Sequence, residues 1–368
     1  MSTAQPVSDY DYDLPPAAVA QRPVEPRSAA RLLVALDPLG AVEHRVVADL
    51  PDLVREGDVV VVNDTRVLPA RLRLAKATGG AAEVLLLEPV DGGAGDDGDD
   101  GDAAGARTWE ALVRPGRRLA PGTVLHAGDG TAVVEVGERL DGGRRRVRLL
   151  VGPGDLAAHG EVPLPPYIAE PLADPGRYQT VFARRPGSVA APTAGLHLTD
   201  EILGRLRSSA GVEVHTVDLA VGLDTFRPVA ADDLADHVMH SERYTVPEAT
   251  MEACRRAGRV LAVGTTTVRA LEAAARTGRL EGRTDLFIRP GFDFRVVDVL
   301  LTNFHLPRSS LLVLLAAFAG PDRWRPLYGT ALAGGYRFLS FGDAMLIARA
   351  GPQPRPPRRS GAPSPPAP

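Results

Sequence analysis

The sequence has a single cysteine, Cys254, in 368 residues. One thiol can form neither an internal disulfide nor a cysteine-based zinc site, which indicates a reducing, cytoplasmic environment. Long hydrophobic runs are also missing, because the longest, Leu311 to Ala319, is far shorter than a bilayer-spanning helix. The first residues, MSTAQPVSDYDYDLPP, carry aspartates where a secretion signal needs positive charge. We therefore expect a cytoplasmic protein without a membrane segment.

Neither sign of charge is in large excess, since the formal net charge is −4. Residues 91–106, DGGAGDDGDDGDAAGA, hold six aspartates, and the tail at residues 351–368 holds three arginines. Both segments lack the apolar residues that would offset the entropy of ordering, so we expect them to be disordered. Removing six negative and three positive charges would change the net charge from −4 to −1. Binding of nucleic acid would therefore need a local basic patch.

Two textures of sequence divide the chain. Between residues 67 and 163, short strand-like runs such as AAEVLLLEP, TWEALV and TAVVEVG alternate with turn residues, which is typical of a small antiparallel β-barrel. Elsewhere, strand-like runs (GDVVVVND, VEVHTVDLAV, RVLAVG, TDLFI, VVDVLL) alternate with helical ones (TDEILGRLRSS, VRALEAAART, SSLLVLLAAFAG). The predicted fold class is α/β, with a discontinuous α/β domain at residues 1–66 and 164–350 and an inserted small antiparallel β-barrel domain at residues 67–163.

Polar residues follow a predicted four-valine strand in the run DVVVVNDTRVLPARL. In α/β sheets, ligands bind at the carboxyl ends of the strands. Asn63, Asp64, Thr65 and Arg66 come directly at this strand end, and Arg71 follows shortly after. Asn-Asp is also good turn chemistry, so the run predicts either a plain turn or one side of a ligand site.

The run LAVGTTTVRALE predicts a strand, a turn at Gly264, Thr265, Thr266 and Thr267, and a helix that carries Arg269. Threonine is a good N-cap, and the free amides of a helix start suit a carboxylate or sugar oxygens. Capping needs only one of the three threonines, so the run favours a ligand.

Two histidine-containing runs stay open between structural and functional interpretations. SVAAPTAGLHLT places small residues around Thr193, Gly195 and His197, and small side chains let a ligand approach the backbone closely. DHVMHSERY contains a histidine pair and Glu242 but lacks the HExxH pattern. We expect a hydrogen-bonded cluster there and no metal site.

The run LLTNFHLPRSS follows the apolar strand VVDVLL and precedes an apolar helix that Pro307 and Ser309 are suited to begin. Burying Asn303 and His305 without partners would cost roughly 1 to 3 kcal/mol each. A ligand or a polar network is therefore expected to satisfy them. Five polar clusters of this kind in one domain predict a site for a large polar ligand.

Taken in order, these runs resemble the S-adenosylmethionine:tRNA ribosyltransferase-isomerase family of the queuosine pathway. The resemblance extends from Tyr12 to Ile347, and a long ordered series of this kind is more specific than any single motif. It is carried by YDLPPAAVAQRPVEPRSAARLLV, GDVVVVNDTRVLPARL, LPPYI, RYQTVFA, GSVAAPTAGLHLT, DTFRPV, DHVMHSE, AVGTTTVRALE, TDLFIRPGFDFRVVDVLLTNFHLPRSSLLVLLAAFAG and YRFLSFGDAMLI.

The resemblance implies an α/β domain with an inserted β-barrel and an enzyme that uses S-adenosylmethionine as a ribosyl donor. The implied acceptor is the 7-aminomethyl-7-deazaguanine base at the wobble position of tRNA with a GUN anticodon. The implied products are epoxyqueuosine-tRNA, adenine and methionine. No metal and no cofactor beyond the co-substrate S-adenosylmethionine are expected, and a monomer fits the family.

The resemblance also suggests roles for the polar residues. Candidates for acid-base catalysis are His197, Glu242, Asp64 and His305. Candidates for substrate binding are Asn63, Thr65, Arg66, Arg71, Thr193, Gly195, Gly264, Thr265, Thr266, Thr267, Arg269, Asn303 and Phe304. Recognition of an unstacked anticodon base calls for aromatic or arginine planes, for which Phe292, Phe294, Phe304 and Tyr336 to Phe338 are candidates, although such aromatics are more often core. The arginines of GGRRRVRLL are either phosphate contacts or a solvated strand face.

One segment departs from the family pattern, which reads close to TLHVGxGTFxPV. In VDLAVGLDTFRPV, Ala220 stands where a histidine is usual, and Asp224 stands where a glycine is usual. The first change removes an imidazole. The second adds a side chain and a charge at a position where glycine would let the backbone approach a ligand closely. Two alternatives therefore stay open: a divergent homologue with another acceptor, and a catalytically inactive protein that binds RNA or a nucleoside.

Overall fold

The computed structural model describes residues 5–37, 40–90, 107–116, 118–152, 155–209, 211–222 and 228–351. The acidic segment at residues 91–106, the tail beyond residue 351 and Asp224 lie outside the described residues, so the expectations made for them stay predictions. The chain forms two compact units. One comprises Met1–Asn63, Thr193–Leu219 and Pro228–Pro368, and the other comprises Asp64–Pro192 and Ala220–Arg227.

The strands and helices have the following bounds. The strands are β1 Arg31–Ala35, β2 Glu43–Val46, β3 Asp58–Asn63, β4 Thr65–Val67, β5 Arg71–Lys76, β6 Ala81–Pro89, β7 Thr108–Arg114, β8 Thr123–His126, β9 Ala132–Arg139, β10 Arg144–Leu149, β11 Gly160–Glu161, β12 Arg185–Ser188, β13 Glu213–Leu219, β14 Glu242–Thr245, β15 Arg259–Val263, β16 Glu281–Thr284, β17 Val299–Asn303 and β18 Ala344–Ala348. The helices are α1 Leu50–Leu53, α2 Leu156–His159, α3 Asp200–Ser208, α4 Glu248–Arg256, α5 Thr265–Thr277, α6 Ser310–Ala319 and α7 Pro321–Ala333.

The first unit is built on a nine-stranded mixed sheet with the order β16-β14-β13-β3-β15-β17-β18-β1-β2. Its four central strands, β13, β3, β15 and β17, are parallel. All residues of β3, β15 and β17 are buried, as expected for parallel strands covered on both faces. The carboxyl ends of the four strands therefore meet at one edge of the sheet, which is called the carboxyl edge below.

Helix α6 follows β17 and has almost no polar face, which is typical of a helix buried in a core. Ser309 caps it by accepting a hydrogen bond from the Leu312 amide at 3.2 Å, which confirms the predicted start of this helix. Among the described residues, none of the helices combines the length and hydropathy needed to span a bilayer.

The second unit contains the predicted antiparallel β-barrel. Six strands run in the order β5-β6-β7-β10-β9-β8, and pairing of β5 with β8 closes the ring. Strands β5, β6 and β7 alternate buried and less buried residues, so every second side chain enters a core that includes Trp109. The predicted fold class, an α/β domain with an inserted small barrel, is thus confirmed.

The arginines of GGRRRVRLL mostly pair with glutamates across the barrel surface. Arg144 contacts Glu110 at 2.7 Å, Arg146 contacts Glu138 at 2.6 Å, and Arg148 contacts Glu135 at 2.5 Å. Arg145 points the other way and is buried, with its guanidinium donating to the carbonyl of Leu119. This arrangement is that of a solvated strand face, one of the two interpretations of the sequence, with charge pairs between neighbouring strands.

Three details differ from the expectations. The second unit extends to Pro192, beyond the predicted end of the insertion at residue 163, because β12 pairs in parallel with β4. Residues Ala220–Arg227 also cluster with this unit, in which the Val221 amide donates to Ser188 Oγ at 2.9 Å. The predicted strand TDLFI is wrong beyond its first residue, since β16 ends at Thr284.

Candidate functional site at the carboxyl edge of the sheet

Asn63 is the last residue of β3, and its side chain joins three elements at the carboxyl edge. Its Nδ2 donates to the Leu219 carbonyl at 3.0 Å and to Thr266 Oγ1 at 3.2 Å, while its Oδ1 accepts from the Leu219 amide at 3.2 Å. Leu219 ends β13, and Thr266 lies in the first turn of α5. The amide of Asn63 therefore fixes the relative positions of β3, β13 and α5, and its burial needs no ligand.

The turn between β15 and α5 has a backbone that only glycine adopts readily. Gly264 is the N-cap of α5 and has a φ of 91°, and its amide donates to the Leu301 carbonyl at 2.8 Å. The expected threonine N-cap is wrong, because Thr267 Oγ1 instead donates back to the Val263 carbonyl at 2.6 Å. Thr265 and Thr266 are also buried in the first turn. The amides of this turn carry the positive end of the α5 dipole to the carboxyl edge.

Thr193 and Asn303 are brought together at the end of β17. Thr193 Oγ1 donates to Asn303 Oδ1 at 2.8 Å, and Asn303 Nδ2 donates to the Leu339 carbonyl at 3.2 Å. Thr193 begins a 3-10 helix, Thr193–His197, in which Gly195 is buried. The polar network expected around Asn303 is therefore present.

His197 is buried, and both of its ring nitrogens face backbone carbonyls. Nδ1 lies 3.1 Å from the Ala194 oxygen, and Nε2 lies 2.8 Å from the Gly342 oxygen. Burial lowers the pKa of His197 below its ordinary value, while the two carbonyls oppose that shift. In this arrangement the ring links the 3-10 helix to the loop before β18, and a neutral ring donates to one of the two carbonyls, according to its tautomer.

His305 lies two residues after β17 and is fixed by a tyrosine on each side. Its Nε2 is 3.0 Å from Thr302 Oγ1, its amide donates to Tyr328 Oη at 2.8 Å, and its carbonyl accepts from Tyr12 Oη at 2.5 Å. Burial lowers the pKa of His305 to about 3. The imidazole is therefore neutral at physiological pH.

Glu242 and Arg269 form a buried ion pair at the carboxyl edge. Arg269 Nη1 contacts Glu242 Oε2, and Arg269 Nε donates to the Leu286 carbonyl at 3.2 Å. Glu242 begins β14 and Arg269 lies in the second turn of α5. The sequence indicated both residues as candidates but gave no reason to expect that they pair.

The aromatic candidates are mostly core residues. Phe304 is fully buried and stacks on Phe338 with ring centroids 4.7 Å apart. Tyr336 is also buried, with the guanidinium of Arg31 3.8 Å from its ring centroid. A buried ring offers no face to a base, so the structure assigns Phe304 to the support of the carboxyl edge. Phe292 is half-buried and keeps part of its ring at the surface.

Four candidates, Asp64, Thr65, Arg66 and Arg71, lie in the barrel-containing unit. Asp64 and Thr65 are buried, and the Asp64 carbonyl accepts from the Arg184 amide at 2.8 Å. Arg66 is exposed on β4. Arg71 pairs with Glu83 on the neighbouring barrel strand at 3.1 Å. Their predicted roles stay predictions.

Among the described residues, no group of three or more His, Cys, Asp or Glu side chains is arranged to hold a metal ion, and the expectation for the histidine pair of DHVMHSERY stays a prediction. The ring of His237 packs edge-on against Phe287, with centroids 4.9 Å apart.

Sequence reasoning missed residues that hold the site from behind. Gly342 is packed so closely that a Cβ atom there would lie 2.4 Å from the Arg337 carbonyl oxygen. Glu272, buried on α5, accepts hydrogen bonds from three consecutive amides, Arg295 to Val297, at 2.9 to 3.0 Å. In the sequence, the only signals for these two residues were a glycine and a glutamate within apolar runs. Neither signal indicates which residues they contact.

Comparison with known proteins finds similar proteins over most of the chain. The sequence profile of a family described as queuosine biosynthesis protein matches residues 7–347. A relative from Symbiobacterium thermophilum, named S-adenosylmethionine:tRNA ribosyltransferase-isomerase, is 50% identical over 355 residues, covering 93% of this chain and 99% of the relative. A relative of the same name from Thermus thermophilus is 51% identical over 359 residues, covering 92% and 98%.

A solved structure is also similar. The crystal structure of S-adenosylmethionine tRNA ribosyltransferase from Thermotoga maritima has 35% sequence identity and a TM-score of 0.52. The match covers 92% of this chain and 100% of that chain.

Proposed function

Because this chain belongs to the S-adenosylmethionine:tRNA ribosyltransferase-isomerase family, an enzyme family of queuosine biosynthesis, we propose that it transfers and isomerises the ribosyl group of S-adenosylmethionine. The acceptor is the 7-aminomethyl-7-deazaguanine wobble base of tRNA with a GUN anticodon. The products are epoxyqueuosine-tRNA, adenine and methionine.

The observation that carries the proposal is the convergence of polar groups at the carboxyl edge. Two hydrogen-bonded pairs lie at the ends of β3, β15 and β17: Asn63 with Thr266 at 3.2 Å, and Thr193 with Asn303 at 2.8 Å. Ligands of α/β sheets bind at such an edge. A nucleoside with an amino acid attached needs hydroxyl contacts, a carboxylate contact and a proton acceptor. The groups of these types at this edge are Thr193 and Thr266, Arg269, and Glu242.

The proposed chemistry needs no cofactor beyond S-adenosylmethionine, because the sulfonium itself activates the substrate. Its positive charge acidifies the neighbouring C5′ hydrogens of the ribose, so a positioned base can remove one. The resulting ylide rearranges with loss of adenine. The transferred carbons then bond to the amine nitrogen of the acceptor, the bond to sulfur breaks to release methionine, and the product carries the epoxide. The site must supply the base, a proton donor for adenine, and contacts that hold the ribose and the methionine.

The acid-base candidates differ in their surroundings. His197 and His305 are buried, and burial lowers the pKa of both, to about 3 for His305. A base works best when its pKa lies near the operating pH, so His305 is better suited to donate or accept a hydrogen bond than to remove a proton. Glu242 and Asp64 are the carboxylate candidates. Substituting each one separately and measuring exchange of C5′ deuterium with solvent would identify the base.

We further propose that the enzyme works as a cytoplasmic monomer and that the exposed arginines of the barrel-containing unit contact RNA phosphate. Arg66 is the clearest candidate, since it is exposed on β4. Proteins that read an unstacked base combine such basic contacts with stacking surfaces. Phe292 is the stacking candidate because its ring is half-buried, whereas the rings of the other aromatic candidates are buried. The guanidinium of Arg276 lies 4.7 Å from the Phe292 ring centroid.

The test is incubation of the purified protein with S-adenosylmethionine and tRNA that carries the aminomethyl-deazaguanine base, followed by nuclease digestion and mass spectrometry. Epoxyqueuosine with one adenine per modified tRNA would support the proposal and show that Ala220 and Asp224 are compatible with it. Adenine release without modified tRNA would favour a different acceptor. Binding of S-adenosylmethionine or tRNA without any product would favour the inactive alternative.

A further inference from the structure

Arg269 carries a hydrogen-bond donor that nothing in the described structure accepts. The side chain is only 5% exposed, and its Nη2 is buried without a partner among the described residues. Buried donors are nearly always satisfied by protein, water or ligand, because an unsatisfied donor destabilises the fold. The other two nitrogens already have acceptors, Glu242 for Nη1 and Leu286 for Nε. The guanidinium is therefore held in place, and Nη2 is its one nitrogen without an acceptor among the described residues.

The position of Arg269 on α5 places its side chain on the face of the helix that leads back to the first turn. A helical side chain leans towards the N-terminus and covers the residues three and four positions before it, here Thr265 and Thr266. That first turn carries amides that make no hydrogen bond within the helix and the positive end of a thirteen-residue helix dipole. A guanidinium donor beside such a turn is a site for an anion.

Glu242 explains why the guanidinium keeps this orientation. Leu219, at the end of β13, pairs with Tyr244, so Glu242 lies two residues beyond that pair along β14, past the carboxyl end of β13. Its carboxylate contacts Nη1 from one side while the Leu286 carbonyl contacts Nε. These two contacts hold the planar guanidinium in one orientation and leave Nη2 as the nitrogen that neither of them uses.

We propose that Arg269 Nη2, with the first turn of α5, binds the carboxylate of the methionine part of S-adenosylmethionine, and that Glu242 is a positioning residue for this contact. The inference rests on the proposed function, in which S-adenosylmethionine is the ribosyl donor. The carboxylate is the only anionic group of that molecule. A backbone phosphate of tRNA is the other anion available, but a side chain this deeply buried favours the end of a small molecule over a charged polymer at the protein surface.

The test compares binding of S-adenosylmethionine with binding of its decarboxylated analogue, which keeps the sulfonium, ribose and adenine. The variant Arg269→Lys keeps a cation beside Glu242, so the buried carboxylate stays paired, but it loses the fork that presents Nη2. The matched control is Arg256→Lys, in an exposed arginine that pairs with Glu213 at 3.7 Å. Calorimetry at one salt concentration gives all affinities.

The expected result is that the parent protein and Arg256→Lys prefer S-adenosylmethionine over the analogue by roughly 10- to 100-fold, as for a charge-assisted contact. Arg269→Lys should lose most of that preference while it binds the analogue as the parent does. Equal weakening of both ligands, or no change in either, would overturn the assignment, because the donor would then contact another group or a water. If the parent binds neither ligand, the proposed function itself fails.

Two further measurements separate the remaining explanations. If the anion were a tRNA phosphate, Arg269→Lys would weaken tRNA binding and lower the slope of log affinity against log salt by about one, with the preference for S-adenosylmethionine unchanged. For Glu242, a positioning role predicts that Glu242→Gln lowers the preference while Glu242→Asp partly restores it. Equal loss of analogue binding in both Glu242 variants would contradict that role.

Discussion

Lowering the pH from 7.5 to 5 is expected to destabilise the α/β unit through His305. A histidine in an unfolded chain has a pKa of about 6.5, whereas burial lowers the pKa of His305 in the fold to about 3. Between about pH 6.5 and 3, His305 is therefore protonated in the unfolded chain but neutral in the folded chain. The free energy of unfolding is therefore not reduced by His305 above about pH 6.5, and it decreases as the pH falls from 6.5 towards 3.

The size of the effect follows from the shift. At pH 5 the pH lies about 1.5 units below the pKa of the histidine in the unfolded chain. This difference corresponds to a loss of roughly 2 kcal/mol of unfolding free energy. His305→Gln cannot take up this proton. Its unfolding free energy should therefore fall by roughly 2 kcal/mol less than that of the parent between pH 7.5 and 5, whatever other groups titrate in both proteins.

The assay is urea unfolding at both pH values, followed by tryptophan fluorescence. Trp324 lies in the α/β unit and packs edge-on against Tyr328, whose hydroxyl accepts the His305 amide. The other tryptophan of the chain, Trp109, is in the barrel core, so both proteins carry Trp109→Phe and the signal reports one unit. An equal loss of stability in the parent and in His305→Gln would refute the reasoning.

Three more predictions concern residues away from the reacting atoms. Gly342→Ala should lower the unfolding free energy by about 2 kcal/mol or more, since the new Cβ would lie 2.4 Å from the Arg337 carbonyl oxygen. Cys254 should resist alkylation in the native protein and react on unfolding, because burial raises the pKa of its thiol to about 12. Arg259→Met should destabilise by roughly 3 kcal/mol, because it leaves Asp58, paired with Arg259 at 2.5 Å, buried without a counter-charge.

Each of these predictions has a control or a contradicting outcome. Gly329→Ala, where a Cβ would meet nothing within 4 Å, should leave stability unchanged or raised, and equal behaviour of the two alanine variants would contradict the packing argument. Rapid labelling of native Cys254 by iodoacetamide at pH 8 would show that the thiol is accessible. For the ion pair, the double variant Asp58→Leu with Arg259→Met should recover most of the loss, and failure to recover would point to a different role.

Much of the fold was accessible from sequence because its signals are local. Short runs such as AAEVLLLEP, TWEALV and TAVVEVG predicted strands of the barrel, and the four valines of β3 predicted a strand of the α/β domain. The start of α6 at Ser309 followed from capping chemistry. The run TDLFI misled because apolar β-formers also occur in extended segments that pair with nothing regular, and β16 ends at its first residue.

The candidate site was less accessible because its contacts join distant parts of the chain. The polar residues at strand ends were found from sequence, but their pairing was not. Asn63 and Thr266 are 203 positions apart in the sequence, and Glu242 and Arg269 are 27 positions apart. From sequence alone, each of these polar side chains could be interpreted as a catalytic base or a ligand contact, because its hydrogen-bond partner in the fold was not known. The burial of His197 and His305 and the contacts of their rings likewise follow from the fold, and no pattern in the sequence indicates them.

The measurement that tests the central claim most directly follows labelled carbon from S-adenosylmethionine into tRNA. One substrate carries ¹³C in all ribose carbons and another carries ¹³C only in the methyl group, and each is incubated with the enzyme and the aminomethyl-deazaguanine tRNA. We expect the ribose label in the modified wobble nucleoside and the methyl label in free methionine. Methyl label in the tRNA, or ribose label confined to small molecules while a family enzyme run in parallel modifies the same tRNA, would contradict the account.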